Sequence, residues 1–186
     1  MTTSISTVTI FRLILLAMVL GHALQQNAQA RRRQQPQPPE VQRTADAVVG
    51  KWSGLMTAKI PGAPPESFTW TMDCKPVAFG AGASCANQGT ASIGPMSESC
   101  LLAYDPQGEA VHYMCVTSMG EVHDHKGRWK DGKTIEFEPL RGGLMGKPIT
   151  ETNRWSFSAP NTLVKTSIIT MADGTSMSFE FTGKRQ

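Results

Sequence analysis

From residue 45 onward, apolar and polar residues alternate in short runs broken by Gly, Pro, Asn and Asp, the pattern of half-buried β-strands. Phe68, Trp70, Met72 and Cys74 alternate with Thr69, Thr71 and Asp73, so one face of that segment is apolar and the other polar. Further strands are predicted from Gly50 to about Ile60, over 81–88, 100–104, 110–119, 122–129 and 134–138, and finally over 150–158, 162–171 and 175–184. Asp105-Pro106-Gln107-Gly108, Asp131-Gly132 and Asp173-Gly174 carry the residues that tight turns require. The strand over 81–88 is so rich in Gly and Ala that something bulky is expected against it, and RGGLMGKP (141–148) reads as a loop. Beyond one helical turn at 44–49, no segment of helical period and length follows residue 30. Nine or ten hairpin-linked strands predict an all-β fold, an antiparallel up-and-down barrel that removes exposed edges by closing on itself. A sandwich shares the same strand pattern and is the alternative.

The termini add a second layer of organisation. Arg12 precedes the apolar run Leu13 to Leu20, and Ala28-Gln29-Ala30 offers the small residues that a signal peptidase reads. The run falls well short of the ~20 apolar residues that span a bilayer. Residues 1–30 are therefore expected to be a signal peptide cut after Ala30, which places the protein in the periplasm or outside the cell. Arg31, Arg32 and Arg33 directly after the cut oppose export by charge; the alternative is an uncleaved N-terminal segment that anchors the chain to a membrane. Residues 31–44, rich in Arg, Gln and Pro, read as a disordered linker. Its arginines are a solvated arm or a weak contact to anionic lipid or cell wall. The barrel domain then spans 45–186, a length that suits one domain. A net charge of only +3, much of it in that arginine cluster, provides no basic field for nucleic acid.

All four cysteines, Cys74, Cys85, Cys100 and Cys115, lie in the domain, and an even number in an exported chain points to disulfides. No CxxC spacing occurs, so neither a zinc ribbon nor a thioredoxin-type site is indicated. Of the three connectivities available, Cys74 with Cys85 and Cys100 with Cys115 is preferred because each pair staples one hairpin.

Gly50-x-Trp52-x-Gly54 at the first strand and Lys184-Arg185 at the last resemble the calycin arrangement. That resemblance implies that Trp52 plugs a barrel end with Arg185 packed over it. LLAYDPQG (101–108), SMG (118–120), Gly127 ahead of DGKT (131–134), GKP, Arg154 and a closing DG hairpin together resemble the bacterial family known as domain of unknown function 1579, over about 48–185. The family implies a β-barrel, often exported, and no catalytic residue. The chain departs from the family pattern in its four cysteines and in Cys115, where a Trp is expected before SMG.

His123 and His125 are the sharpest chemical feature. Two apart on a strand, they point to one face with Cα atoms roughly 6.5 Å apart and can reach a common ion. A third ligand is needed, for which Glu121, His112 and Met119 are candidates. A three-residue turn at 131–133 would set Trp129 against Ile135 and Gly127 against Phe137, turning both histidines inward. A bulge at Gly127 would turn them out to water. The ten methionines are scattered, as packing or a forgiving apolar lining rather than a copper site. GxSxG, HExxH and P-loop motifs are missing from the sequence.

The expected function is binding of a small, partly apolar molecule inside the barrel. Trp70, Tyr104, Tyr113, Trp129, Phe137 and Trp155 line or close the cavity; Arg154, placed inside it, pairs with Glu151 or Glu180 or holds an anionic head group of the ligand, and His123 and His125 are further polar contacts if they face inward. Enzymatic activity is not the favoured reading, and no cofactor is expected beyond a metal ion at His123 and His125. The alternatives are a cell-envelope structural or interaction protein with a filled barrel, and a metal-dependent enzyme using the two histidines.

Overall fold

The alternating pattern is realised as eleven antiparallel strands, one α-helix and a short 3-10 turn at Ala78–Gly80 in the computed structural model, which describes residues 37–144, 146–159 and 161–186. In chain order they are α1 (Pro39–Val48), β1 (Gly50–Lys59), β2 (Glu66–Val77), β3 (Gly82–Ala91), β4 (Gly94–Asp105), β5 (Ala110–Thr117), β6 (Val122–Trp129), β7 (Thr134–Phe137), β8 (Leu140–Leu144), β9 (Lys147–Ala159), β10 (Thr162–Met171) and β11 (Ser176–Arg185). Each strand from β1 to β6 pairs with its successor, β9 pairs with β7 and β10, β10 pairs with β11, and β11 returns to β1. Ten strands thus close a barrel, and β8 is an additional edge on β9.

The thirteen-residue β9 makes this possible by serving two partners. Its first half takes β8, from Leu144↔Lys147 to Leu140↔Glu151, and its second half takes β7, from Glu136↔Arg154 to Thr134↔Ser156. The segment read as a loop from its glycines is therefore half of a hairpin, turned at Gly146 with φ +76°, a conformation that glycine adopts without a Cβ penalty. Strand β4 likewise begins six residues earlier than the apolar pattern places it, because Gly94 to Ser99 pair in register with Asn87 through Ala91 and Ala86.

The helix is ten residues long rather than one turn. Pro39 suits its first turn. Val41, Thr44, Ala45 and Val48 recur at the i, i+3, i+4, i+7 spacing and form its buried stripe. The composition-based boundary at residue 44 consequently falls inside α1. Trp52 Nε1 donates to Val48 O at 2.7 Å, and Arg185 Nη2 donates to Asp46 O and Ala47 O at 3.0 and 2.9 Å. These bonds satisfy carbonyls that a helix C-terminus leaves open. The Arg185 guanidinium also lies 4.6 Å from the Trp52 ring centroid. Trp129 Nε1 donates to Thr44 Oγ1 at 3.0 Å, so α1 is stitched across one end of the barrel.

The core is the lumen. Trp52, Leu102, Val111, Ile135, Trp155, Leu163 and Phe181 fill it, each with no more than 1% of its surface exposed. Gly89 is the place where bulk meets a small-residue strand: a Cβ there would stand 2.6 Å from the Trp70 ring. The four cysteines occupy one row on the inner wall of four successive strands, since Cys74↔Cys85, Cys85↔Cys100 and Cys100↔Cys115 are all register partners. The disulfides are Cys74–Cys85 and Cys100–Cys115, each within a hairpin. Among the described residues, no helix is long and apolar enough to cross a membrane. The expected signal peptide, its cut at Ala30 and the arginines at 31–33 lie outside the described residues.

Candidate functional site

Strand parity builds a polar cluster on one wall of the lumen, toward the end opposite α1. On β6 the register is Gly127↔Phe137 and Trp129↔Ile135, and it continues unbroken as Tyr113↔His125 and Cys115↔His123. Gly127 carries no bulge. The Phe137 ring lies over it, only 2.7 Å from where a Cβ would be. His123 and His125 therefore face inward beside Tyr113 and Cys115. On β9, buried Trp155 sets the parity, and Asn153 and Glu151 follow it inward. On β10, Lys165 pairs with Trp155 and Ser167 with Asn153, which brings both to the same wall.

The centre of the cluster is the Glu151 carboxylate, 5% exposed as a residue. Its Oε2 lies 3.2 Å from His123 Nδ1 and 3.6 Å from His125 Nε2. Ser167 Oγ donates to the other oxygen, Oε1, at 2.6 Å. Glu121 faces the far side of His123, with Oε2 3.7 Å from Nε2. The approaches to Oε2 miss hydrogen-bond geometry, so this buried oxygen accepts no hydrogen bond among the described residues.

A second group adjoins it. Asn87 Nδ2 donates to Glu98 Oε2 at 3.1 Å and to the Tyr113 phenol oxygen at 3.3 Å. Lys165 Nζ donates to the same phenol oxygen at 3.3 Å and lies 4.7 Å from the centroid of the Trp155 ring.

Charge is arranged by burial and by these contacts. Burial pushes the Glu151 carboxyl up, but the approach of His123, the charge of His125 and the Ser167 bond together bring it below the ordinary glutamate value. Contact with Glu151 raises His123 against the opposing effect of burial. Burial lowers His125 and Lys165. Tyr113, desolvated and near Glu98, is held well above the ordinary phenol value. The result is a carboxylate that ionises more readily than an ordinary glutamate, between one imidazole that protonates more readily than an ordinary histidine and one that protonates less readily.

The other candidate residues fall into three places. Trp70, Tyr113, Phe137 and Trp155 are buried in the lumen, with Trp155 4.6 Å from Tyr113 and 5.4 Å from Phe137 between ring centroids. Trp129 is at the helix end, under the Arg43 guanidinium and 5.8 Å from Phe157. Tyr104 is half-buried, where Glu40 and Arg43 act on it. Arg154 is corrected: it is exposed on the outer face, between its register partners Glu136 and Thr166. It lies one residue out of phase with Glu151, Asn153 and Trp155, and alternation sends it outward. The inward-facing base is Lys165 instead, part-buried against the Trp155 ring. Lys165, Ser167, Asn87 and Glu98 were not singled out from sequence, and Glu151 was named only as a partner for Arg154, although counting back by twos from Trp155 reaches it.

The sequence model of a family described as "Protein of unknown function (DUF1579)" matches residues 37–183. The chain belongs to this family. No curated protein matches the DUF1579 chain by sequence. Among solved structures it is similar to Rv2717c from M. tuberculosis, with a TM-score of 0.63 at 17% identity, over 80% of this chain and 98% of that one. It is also similar to the S-type phycobiliprotein lyase CPES from Guillardia theta, with a TM-score of 0.52 at 15% identity, over 81% and 98%. At these identities the likeness is one of fold, a lipocalin-like barrel.

Proposed function

We propose that this DUF1579 protein is exported and binds one small, partly apolar molecule through the barrel end opposite α1. The observation that carries the reading is the unequal closure of the two ends. Toward α1, the inward side chains Trp52, Leu102, Val111 and Leu163 are at most 1% exposed. Toward the other end, Met56, Met96, Glu98, Ser167 and Phe179 have inward register positions yet are only part-buried. An inner wall that solvent reaches is what a ligand can cover.

Chemistry divides that wall. Met56 on β1, Met96 on β4 and Phe179 on β11 offer an adaptable apolar surface. Glu98, Lys165 and the His123–Glu151 pair offer partners for a polar group. Trp70, Tyr113, Phe137 and Trp155 form the floor, while Trp129 and Tyr104 belong to the closed end. A cleft of about 390 Å3 opens at the rim, lined by Arg141, Pro148, Ile149, Thr170 and Met171, one inward step along β9 from Glu151. Two disulfides fit an oxidising, non-cytoplasmic compartment, which supports export through residues 1–30.

Native mass spectrometry of tag-free protein isolated from its own host tests the reading. A non-covalent adduct is expected, and it should be lost when Met56→Trp fills the mouth of a protein that still melts cooperatively. Only the bare polypeptide from the host, or an adduct undiminished in the Met56→Trp protein, would overturn it.

A further inference from the structure

We propose that His123, His125 and Glu151 bind one divalent metal ion of the zinc class. One donor atom from each of the three residues lies within 4.8 Å of the others. The two shortest spacings are 3.2 Å, His123 Nδ1 to Glu151 Oε2, and 3.6 Å, His125 Nε2 to the same oxygen. Tetrahedral zinc with bonds of about 2.0–2.1 Å separates its ligand atoms by roughly 3.3 Å. Two edges of a coordination polyhedron are thus close to their final lengths, and the third, between the imidazole nitrogens, needs only side-chain adjustment from a spacing within 4.8 Å.

A second observation points to a ligand independently of this spacing. Glu151 Oε2 is buried and accepts no hydrogen bond among the described residues, although a buried carboxylate oxygen ordinarily has a partner. It is aimed between two rings that are themselves held inside a barrel. An ion bridging all three would satisfy it.

The surroundings have the form of an outer shell around such an ion. Ser167 engages Oε1 at 2.6 Å and leaves Oε2 for coordination. Glu121 faces His123 Nε2 at 3.7 Å, too far for a hydrogen bond, and adds negative charge to the wall beside the three ligands. Inside this wall the carboxylates of Glu98, Glu121 and Glu151 face one ammonium, Lys165, which is drawn aside to the Tyr113 phenol. An excess of carboxylate favours a dication. Two imidazoles and a carboxylate select a borderline first-row ion over calcium or magnesium. Three protein ligands leave a position for water or for a polar atom of a bound molecule. The neighbouring group of Glu98, Cys100 and Cys115 does not compete, because its two sulfurs are joined in a disulfide. The metal site stands whether or not the barrel also holds an organic ligand.

The test loads tag-free full-length protein with zinc, removes the excess by gel filtration and measures bound metal by mass spectrometry. Cobalt(II) is loaded in parallel for its visible absorption. One zinc per chain is expected, with cobalt bands of a four- or five-coordinate site. Glu151→Gln, which keeps the volume of the side chain, should weaken zinc by more than about 100-fold, and Ser167→Ala by about 10–100-fold. His112→Ala, on a histidine outside the cluster, should leave it unchanged. A folded wild-type protein that retains no zinc and shows no cobalt bands overturns the proposal whatever the variants do. Full retention in a folded Glu151→Gln protein overturns it as well.

Discussion

Replacing Gly127 by alanine probes the register that turns both histidines inward. A Cβ at that position would stand 2.7 Å from Phe137 Cδ1 and 2.8 Å from the Glu136 carbonyl oxygen. The first neighbour is a ring packed against Trp155 and the second is backbone, so neither yields without opening the β6–β7 pairing. Overpacking of this kind costs about 1–3 kcal/mol, and alanine's smaller freedom in the unfolded chain offsets up to about 1 kcal/mol of it. The net expectation is a loss of about 1–2 kcal/mol. Gly132→Ala is the matched control: no atom lies within 4 Å of its added Cβ and its φ is not positive. Only the unfolded-state effect then operates, and the change is neutral or stabilising by up to about 1 kcal/mol. Urea unfolding followed by tryptophan fluorescence separates the two. With a slope near 2 kcal/mol/M, Gly127→Ala should lower the midpoint by roughly 0.5–1 M while Gly132→Ala leaves or raises it. A Gly127→Ala protein as stable as wild type would refute the reasoning. Phe137 would then not lie over Gly127, an extra residue would interrupt β6, and His123 and His125 would face water.

Three further outcomes follow from the same structure. Arg185→Ala removes two charge-assisted bonds to the α1 carbonyls and the stack on Trp52; a loss of about 2 kcal/mol is expected, with Arg185→Lys intermediate, measured by thermal melting with amide exchange of residues 41–48. Removing either disulfide as a Cys→Ala pair should cost about 3 kcal/mol, from loops closed over 11 and 15 residues; equal denaturation midpoints with and without reductant would contradict this. Tyr113 keeps its proton in the folded state well past the ordinary phenol value, so the native protein holds more protons than the unfolded chain above that value and stability falls as pH rises through it. Phenolate absorbance from Tyr113 should appear together with the loss of the near-ultraviolet circular dichroism signal; its appearance in the fully folded protein would show that the ring is not buried.

The fold was legible because a half-buried strand writes its facing into alternate residues. Phe68, Trp70, Met72 and Cys74 declare β2 without help from the rest of the chain, and the Asp-Gly turns mark where hairpins reverse. Segments whose burial is supplied by neighbours were not legible. Gly94 to Ser99 has little apolar pattern, and its strand exists because β3 is there to pair with it. Leu140 to Leu144 looks like a loop because its glycines carry no facing signal. Helix α1 was cut short at residue 44 because the preceding Arg, Gln and Pro composition masks a stripe only four residues wide.

Sequence alone determined the alternation, the turns, the hairpin-spaced cysteines and the identity of the paired histidines, all of which are properties of residues close together in the chain. The site itself was decided by tertiary structure. Glu151 reaches His123 and His125 only because β9 crosses from β8 to β7 and β10, and Lys165 replaces Arg154 as the inward-facing base because one residue of phase separates the lumen from solvent. Strand order and barrel closure set both outcomes, and they depend on pairings between residues that no local pattern records.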